Sequence, residues 1–484
     1  ETYDSFAGAS TITLGPLATA ADIVTLLTGG TAASTVTIPA THTGDLTVTS
    51  EIAGESITAA ATYAGQLTVK TTADLQTTDT LTAGAGTSDT LIITATGTAM
   101  VANDLDTVTL FEVVDIAFNA AFSLTSAVEM IATGKSMAWT ASGMTTAALT
   151  LDVSEETDTT SSQTVTVLGT GAHIITLGSG TDTLTSTSTG VITAVLTAGT
   201  NTVTTGAGAD IITLGTGVDS VTAGAGNDTI NSATANLVST DTIAGGAGTD
   251  TLALSDAATV VDADFTNVTA VEKINSGNNS LTLTLGAAST AAGLTTVTGG
   301  TGTNAITAGA GHTGALTINL VAGTDTVTAT NYTGALTVSM AADSLAGDTL
   351  TGGTGTSDKL SISADGTDLV ANDFDTVTKF ETVDVAFNAA FGMTSATEQI
   401  ATGGSLAWTA TGMTTAALTL DLSEETDTTS SQTVTVLGTG AHIITLGSGT
   451  DTLASTSTGV ITAVLTAGAN TVTTGAGADL ITLG

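Results

Sequence analysis

Three aspartates recur every nine residues in the segment 206–231, which reads GAGADIITLGTGVDSVTAGAGNDTIN. Asp210, Asp219 and Asp228 each lie two residues after a glycine and two residues before a branched aliphatic residue. Glycine adopts the positive-φ conformations that turn backbone carbonyls inward, and aspartate adds a hard anionic oxygen of the kind that calcium prefers. The spacing therefore predicts calcium-binding turns, each followed by a short strand whose aliphatic residue enters a core.

Two nonapeptides form one coil in such an array, so we expect Asp210 and Asp228 to stack on one edge and Asp219 to lie on the other. The candidate calcium ligands are Asp182, Asp210, Asp219, Asp228, Asp241, Asp250, Asp451, Asp479, Gly206, Gly208, Gly215, Gly217, Gly224, Gly226, Gly246 and Gly248. Less regular units add weaker candidates, which are Asn201, Asn304, Asp325 and Asn470. For these weaker units the favoured alternative is a plain solenoid turn that uses glycine for geometry alone.

Two further features could bind a metal ion. The acidic segment SEETDTTSS at 154–162, repeated at 423–431, offers a lateral calcium site through Glu155, Glu156 and Asp158. A solvated loop is the favoured alternative for that segment. In another unit the aspartate position is taken by histidine, at residue 173. Imidazole suits softer metals than calcium, so we expect that turn to lack calcium.

The nonapeptide phase resembles that of RTX-type β-roll proteins over 165–255 and 434–484. The Thr-, Ala- and Gly-rich, lysine-poor remainder resembles the repetitive surface-layer proteins of Gram-negative bacteria. The resemblance implies export by type I secretion, folding in extracellular calcium, and assembly into lattices, filaments or adhesive fibres. Unlike the toxins and proteases of that class, the sequence carries no HExxH zinc signature.

Charge and composition restrict the partners. The 484 residues carry 45 acidic side chains against five lysines, a net charge of −40, so nothing could neutralise the phosphates of a nucleic acid. The same balance argues against an anionic membrane surface, and no apolar run is long enough to span a bilayer. Yet 41% of the residues are hydrophobic, unlike an acidic disordered tail. An acidic exterior around an apolar core without any cysteine predicts stabilisation by bound cations.

Long internal repeats organise the chain. Residues 143–215 and 412–484 align at an offset of 269 with four differences in 73 positions. The predicted fold is all-β, a parallel β-solenoid (β-roll or β-helix) array with short helical insertions at 18–29 and 124–134. Alternating apolar residues predict strands rather than helix at 261–274. The predicted segments are solenoid at 1–85, an aromatic-containing β segment at 86–164, an RTX-like roll at 165–255, and their second copies at 256–354, 355–433 and 434–484.

The predicted function is that of a non-enzymatic, calcium-stabilised structural protein of the bacterial cell surface, which self-assembles into a surface layer or filament. Its expected partners are calcium ions, other copies of the chain and cell-surface polysaccharide, without nucleic acid or membrane insertion. One alternative is the calcium-rigidified extender of a large RTX adhesin. A second is ice binding through Thr-x-Thr strands, which needs one flat threonine face, whereas threonine here occurs on every face. Catalysis has little support, because the four histidines are repeat equivalents with no serine or cysteine nucleophile expected beside them.

Overall fold

A computed structural model describes the chain at residues 2–3, 9–15, 25–28, 32–50, 54–71, 75, 78–95, 100, 102–127, 130–131, 134–342, 345–364, 366, 368–396 and 404–484. The chain divides into two compact units, unit 1 at Glu1–Asp250 and unit 2 at Thr251–Gly484. Within each unit, short strands of successive coils pair in parallel. Each unit is therefore a parallel β-solenoid, and the predicted all-β class is confirmed.

Unit 1 contains three long sheets, which we number 1 to 3. Sheet 1 is formed by Thr2–Tyr3, Thr25–Thr28, Leu46–Ser50, Leu67–Thr71, Thr90–Ile93, Val113–Ile116, Ser136–Thr140, Ser162–Val167, Thr183–Ser186, Thr202–Thr204, Ser220–Thr222 and Thr242–Ala244. Sheet 2 is formed by Thr11–Thr13, Thr35–Ile38, Ser56–Ala59, Thr80–Thr82 and Val108–Thr109. Sheet 3 is formed by Phe122–Thr125, Leu149–Asp152, His173–Thr176, Ile192–Val195, Ile211–Thr213 and Thr229–Ser232. A small pair joins Ala198–Gly199 to Thr216–Gly217.

Unit 2 repeats this architecture in sheets 4 to 6. Sheet 4 contains Thr251–Leu254, Lys273–Asn275, Thr296–Thr298, Leu316–Asn319, Leu336–Ala341, Lys359–Ala364, Thr382–Val385, Ser405–Ala410, Ser431–Val436, Thr452–Ser455 and Thr471–Thr473. Sheet 5 contains Ala258–Val260, Leu281–Leu285, Ala305–Ala308, Thr326–Thr328, Thr349–Thr351 and Val377–Thr378. Sheet 6 contains Phe391–Thr394, Leu418–Asp421, His442–Thr445, Ile461–Val464 and Leu480–Thr482. A further two-residue strand is Val268–Thr269.

Coil length varies along the chain. Asp210 and Asp228 lie 18 residues apart on adjacent coils, so two nonapeptides make one coil as predicted. In the aromatic segment of unit 1, hydrogen-bonded neighbours on adjacent coils are 24 to 28 residues apart. These longer coils enclose Trp139, which is 1% exposed. Longer coils thus accommodate bulky aromatic residues where the narrow glycine-rich coils could not.

The core follows from the two-residue period of the strands. Val203, Val221 and Ile243 are paired neighbours in sheet 1, and all are at most 1% exposed. Their flanking threonines and serine point away from the core, as in the exposed–buried–exposed pattern of Ser220–Thr222. Burying each aliphatic side chain contributes about 1.5–3 kcal/mol. A column of such residues along the inside of the coils therefore supplies most of the solenoid's apolar stabilisation.

The helical segments among the described residues are short. They are Ala102–Leu105, Thr234–Asn236, Asp262–Phe265, Ala287–Ala292 and Ala371–Phe374. The predicted helix at 18–29 is wrong where the structure describes it, because Thr25–Thr28 is a strand that pairs with Leu46–Ser50; residues 18–24 and 29 lie outside the described residues. The predicted helix at 124–134 is likewise wrong at its start, which belongs to the strand Phe122–Thr125; residues 128, 129, 132 and 133 lie outside the described residues. Cross-coil pairing outweighs local helix propensity at both places.

The segment 261–274 contains a helical turn where strands alone were predicted. Strands occur at Val268–Thr269 and Lys273–Asn275, but the segment begins with a 3₁₀ turn at Asp262–Phe265. The Asp264 carboxylate accepts the N–H of Val261 at 2.9 Å and so caps that turn. Alternation of apolar residues did not reveal the turn, because its start is set by this single local hydrogen bond.

Candidate calcium sites

Asp210, Asp228 and Asp250 form one column, which we call edge 1, immediately before successive strands. The Oδ1 atom of Asp228 accepts the N–H of Asp210 at 2.7 Å, and that of Asp250 accepts the N–H of Asp228 at 2.8 Å. Asp210 makes the same bond to the N–H of Ile192 at 2.7 Å. Each aspartate is thus tied by one oxygen to the backbone of the preceding coil.

A second column, edge 2, precedes the strands of sheet 1 and contains Asp182, Asn201, Asp219 and Asp241. The Oδ1 atom of Asp219 accepts the Asn201 side-chain amide at 3.0 Å, and that of Asp241 accepts the N–H of Asp219 at 2.9 Å. Asp182 accepts the N–H of Gln163 at 2.8 Å. The predicted placement of Asp219 opposite the column of Asp210 and Asp228 is therefore confirmed by the structure.

The second carboxylate oxygens divide these aspartates into two groups. Asp210 and Asp228 of edge 1 and Asp182 of edge 2 are at most 1% exposed, and the Oδ2 atom of each has no hydrogen-bond partner among the described residues. By contrast, Asp219 Oδ2 accepts the N–H of Gly215 at 3.2 Å, and Asp241 Oδ2 accepts the N–H of Val238 at 2.9 Å. A buried carboxylate oxygen without a partner requires a proton or a cation.

Burial has a direct electrostatic consequence for these groups. It raises the pKa of Asp182 to about 7 and that of Asp228 to about 6. For Asp228, the neighbouring charges of Asp210 and Asp250 act in the same direction. Carboxylates stacked at coil spacing therefore repel one another unless a cation lies between them.

Glycine is required in the turns because successive coils approach closely. A Cβ atom on Gly226 would lie 2.1 Å from the carbonyl oxygen of Gly208, and one on Gly248 would lie 1.7 Å from that of Gly226. Both residues have positive φ, 139° and 140°. The other candidate glycines show the same approach to a carbonyl oxygen of the preceding coil: Gly206, Gly208, Gly215, Gly217, Gly224 and Gly246. The turns therefore stack their backbone oxygens closely, and a Cβ atom on Gly208 would also lie 2.9 Å from Asp210 Oδ1.

The second copy of the roll repeats these bonds. Asp451 accepts the N–H of Gln432 at 2.9 Å, Asn470 accepts the N–H of Asp451 at 3.2 Å, and Asp479 accepts the N–H of Ile461 at 2.9 Å. Asp451 is fully buried with an unpartnered Oδ2 among the described residues, whereas Asn470 and Asp479 are half-buried. Asp451 therefore matches Asp182 in both position and environment.

A third column lies in sheet 5 and includes a residue that the sequence analysis missed. Asp325 Oδ1 accepts the Asn304 N–H at 2.8 Å, and Asp348 Oδ1 accepts the Asp325 N–H at 2.6 Å. Asp325 and Asp348 are buried, and the Oδ2 atom of each has no partner among the described residues. Burial and the charge of Asp325 raise the pKa of Asp348 to about 7. The tripeptide DTL at 348–350, which also begins at Asp182, was the available sequence signal.

The lateral calcium site predicted in the acidic segment 154–162 uses three carboxylates that the structure places in different environments. Glu155 is exposed, Glu156 is only 3% exposed, and Asp158 accepts the N–H of Thr160 at 2.9 Å. Within the described part of the chain, no point brings together three or more His, Asp or Glu side chains. A calcium site among these residues would combine one or two carboxylates with backbone oxygens.

The histidines are structural in this arrangement. His173 pairs with Ile192 in the column of Asp210, and its Nδ1 atom accepts the N–H of Leu149 at 3.2 Å, in place of an aspartate oxygen. His442 makes the equivalent bond to Leu418 at 3.2 Å. Burial lowers the pKa of both imidazoles, so they act as neutral acceptors.

One expectation about the histidines was wrong. The Ser289 hydroxyl lies 3.1 Å from Nδ1 of His312, so a serine is indeed adjacent to one of them. Both side chains are fully buried, and the Ser289 hydroxyl donates to the carbonyl oxygen of Gly286 at 2.9 Å at the start of helix Ala287–Ala292. The pair therefore stabilises a helix terminus that substrate could not reach.

Residues 196–230, 239–256 and 462–484 match the family of RTX calcium-binding nonapeptide repeats, in four copies. The repeats are set in a parallel β-solenoid whose buried carboxylates need a proton or a cation. The chain therefore carries RTX-type calcium-binding repeats in a β-roll. Calcium is accordingly the cofactor of this RTX protein, and its repeats suggest a secreted calcium-binding role. Neither a curated protein nor a solved structure matches the chain.

The matched repeats of the RTX protein contain six of the candidate aspartates, namely Asp210, Asp219, Asp228, Asp241, Asp250 and Asp479. Asp182, Asp325, Asp348 and Asp451 lie outside them. Among the described residues, no helix combines the length and the apolar character needed to cross a bilayer.

Proposed function

We propose that this RTX protein is a non-enzymatic structural protein of the bacterial cell surface, which self-assembles in calcium into a surface layer or filament. The supporting observation is a set of exposed aliphatic residues that the chain displays twice. Its residues in unit 1 are Leu168, Ile174 and Val191, which are 41%, 47% and 37% exposed. Their equivalents in unit 2 are Leu437, Ile443 and Val460, at 37%, 48% and 42%. We call these the paired apolar patches.

Two equivalent patches on one chain favour assembly with further copies of the same chain. A single exposed aliphatic residue is ordinary on a protein surface, but the recurrence of one set on two solenoid units gives each subunit two like contacts. A subunit with two contact sets can join two neighbours, so that an assembly can propagate. A net charge of −40 opposes the approach of two copies, so assembly depends on calcium to neutralise the carboxylate columns.

We further propose that the buried aspartates of edge 1, together with turn carbonyls, are the main calcium ligands. Asp210 and Asp228 support this role because each has one oxygen committed to the backbone and a second oxygen without a partner. Asp219 and Asp241 contribute less to binding, because both of their oxygens already accept N–H groups. Calcium then joins coil to coil along edge 1, and binding free energy becomes folding free energy.

Assembly is tested by substituting the paired apolar patches in the full chain. We expect Ile174→Thr with Ile443→Thr to reduce light scattering after calcium addition and to abolish sheets or filaments in negative-stain images. The matched control is Val261→Thr with Val321→Thr, which changes aliphatic residues of similar exposure, 45% and 47%, outside the patches. Equal assembly of both variants contradicts the proposal. Isolated threads in calcium would instead indicate the extender of an adhesin.

Ice binding is a second candidate because threonines lie in register on sheet 2. One column contains Thr13, Thr37, Thr58, Thr82 and Thr109. Two residues away along the strands, Thr11, Thr35, Ser56 and Thr80 form a parallel column. Threonine columns also occur on sheet 1, at Thr164, Thr183 and Thr202, so sheet 2 is not distinctive in composition. Thermal hysteresis of the calcium-loaded chain, lost in Thr37→Leu with Thr58→Leu, would support this candidate over the structural one.

A further inference from the structure

A pair of buried carboxylates lies at the start of the RTX run, outside the matched repeats. Glu156 is 3% exposed and Asp182 is fully buried. Glu156 Oε1 accepts the N–H of Asp158 at 2.8 Å, and Asp182 Oδ1 accepts the N–H of Gln163 at 2.8 Å. The other oxygen of each carboxylate, Glu156 Oε2 and Asp182 Oδ2, has no hydrogen-bond partner among the described residues.

Contacts of Gln163 and Gly178 link the segments that carry the two carboxylates, and we call this group of residues the frame. The Gln163 side chain donates to the carbonyl oxygen of Val153 at 3.2 Å, and that same oxygen accepts the N–H of Glu156 at 3.2 Å. A Cβ atom on Gly178 would lie 2.7 Å from Gln163 Nε2 and 2.9 Å from the carbonyl oxygen of Glu156. Glycine is therefore required where the two coils meet, and the frame includes backbone oxygens as well as carboxylates.

The second copy builds the same pair independently. Glu425 is 2% exposed and accepts the N–H of Asp427 at 2.9 Å, while Asp451 is fully buried and accepts the N–H of Gln432 at 2.9 Å. Glu425 Oε2 and Asp451 Oδ2 again lack partners among the described residues. The carboxylate pair therefore recurs although Leu422 replaces Val153, whereas Trp408 Nε1 and Gln432 Oε1 lack hydrogen-bond partners among the described residues.

Two buried anionic groups in one frame are unstable without a counter-charge. Burial, with the charge of Glu156 as a further cause, raises the pKa of Asp182 to about 7. Burial and the charge of Glu425 raise the pKa of Asp451 to about 6. The atoms of the frame that could coordinate a metal ion are all oxygens. Such a set favours a hard divalent cation such as calcium over softer metals.

We propose that Glu156 with Asp182, and Glu425 with Asp451, are two calcium sites additional to the RTX nonapeptide repeats. In each, the glutamate and the aspartate share one ion, with backbone carbonyls as further ligands. The ion joins the aromatic segment to the first narrow coil of the roll. This inference is independent of the assembly proposal, since it concerns ions bound within one chain.

Terbium luminescence can test these sites specifically in the full chain. The chain has two tryptophans. Nε1 of Trp139 donates to Oε1 of Gln163 at 3.0 Å, and the backbone N–H of Gln163 donates to the proposed ligand Asp182. Trp408 lies on the strand that carries Leu406, the register partner of Gln432, in the second copy. Terbium replaces calcium in oxygen-rich sites, so tryptophan excitation should produce terbium emission mainly from these two positions.

We expect Glu156→Gln with Glu425→Gln to lose most of the tryptophan-sensitised terbium emission and to bind two fewer calcium ions in native mass spectrometry. The matched control is Glu155→Gln with Glu424→Gln, which neutralises the exposed neighbours and should retain both signals. If the double variant does not fold, Glu156→Gln alone leaves the second pair intact and should lose about half the emission. Unchanged emission and ion count in the folded variants overturn the proposal, and show that each pair shares a proton instead.

Discussion

The aspartates of the columns have two separable roles, one for each carboxylate oxygen. Asp228 Oδ1 accepts the N–H of Asp210, a bond that holds adjacent coils in register with or without an ion. Asp228 Oδ2 has no partner among the described residues and is available to a cation. Asparagine retains the first role but loses the charge required for the second. Aspartate-to-asparagine substitutions therefore test binding without removing the bond between coils.

We expect Asp210→Asn with Asp228→Asn to weaken calcium binding at least about tenfold, which corresponds to about 1.4 kcal/mol. Asp219→Asn with Asp241→Asn should have a smaller effect, because the carboxylate oxygens of both aspartates already accept backbone or amide hydrogen bonds. Isothermal titration calorimetry of the calcium-free proteins measures both affinities. An equal or larger loss on edge 2 would contradict the assignment of edge 1 as the main binding edge.

Acidic pH should partly replace calcium. Burial raises the pKa of Asp182 and Asp348 to about 7 and of Asp228 and Asp451 to about 6. A carboxyl whose pKa is higher in the folded chain stabilises the fold at low pH, and this contribution is lost as pH rises through 6 to 7. We therefore expect the calcium-free chain to resist urea better at pH 5 than at pH 8. Saturating calcium should remove or reverse the difference, as monitored by circular dichroism.

The comparison uses protein freed of calcium on a chelating resin, because soluble chelators lose affinity at acidic pH. Greater urea resistance of the calcium-free chain at pH 8 would show that the columns are already neutralised by other groups.

At the level of the coil, close stacking of glycine turns decides whether the narrow roll can form. The turn at Gly226 has both positive φ and a carbonyl oxygen of the preceding coil in the position a Cβ would occupy. Gly277 also has positive φ, 61°, but nothing lies within 4 Å of a Cβ placed there. Alanine substitutions at the two residues therefore distinguish the free-energy cost of backbone strain from that of a steric clash.

We expect Gly277→Ala to lower the free energy of unfolding by about 1–2 kcal/mol, the usual cost of a left-handed alanine. Gly226→Ala should lower it considerably more, because its Cβ would be 2.1 Å from the Gly208 carbonyl oxygen and the coils would have to separate. Urea unfolding in saturating calcium measures both. Similar losses for the two variants would mean that the coils can move apart without penalty.

At the scale of the whole molecule, the large negative charge has to be balanced for the chain to fold. A chain of net charge −40 folds into coils that bury several of its carboxylates, so cations are part of the folded state. Extracellular calcium modules bind at about 10⁻⁴–10⁻³ M. With an affinity in this range, the chain would be unfolded in low calcium and folded outside the cell.

We expect chelation to remove most of the β-type circular dichroism signal at neutral pH, and millimolar calcium to restore it. Sodium chloride is the control, because it screens surface charge but does not replace a ligand in a buried site. Recovery in sodium chloride alone would indicate that general repulsion, rather than specific binding, keeps the calcium-free chain unfolded. A circular dichroism signal unaffected by chelation would show that the aspartates act as ordinary turn residues.

The sequence alone determined the features that repeat locally. The nine-residue phase of glycine, aspartate and an aliphatic residue specified the strand period, the coil of two nonapeptides and the opposite edges of Asp210 and Asp219, all of which the structure confirms. These features could be predicted because each depends on residues within a few positions of one another, and because repetition reinforces the pattern.

Only the tertiary structure decided which groups are free to bind an ion. Whether the second oxygen of Asp219 or Asp228 has a partner depends on a backbone N–H elsewhere in the turn or on another coil. The inward turn of Glu156, beside an exposed Glu155, and the column position of Asp348 depend likewise on alignment between coils. Coil lengths change along the chain, from 18 residues to as many as 28. Alignment across coils is therefore set by long-range packing, which no local pattern encodes.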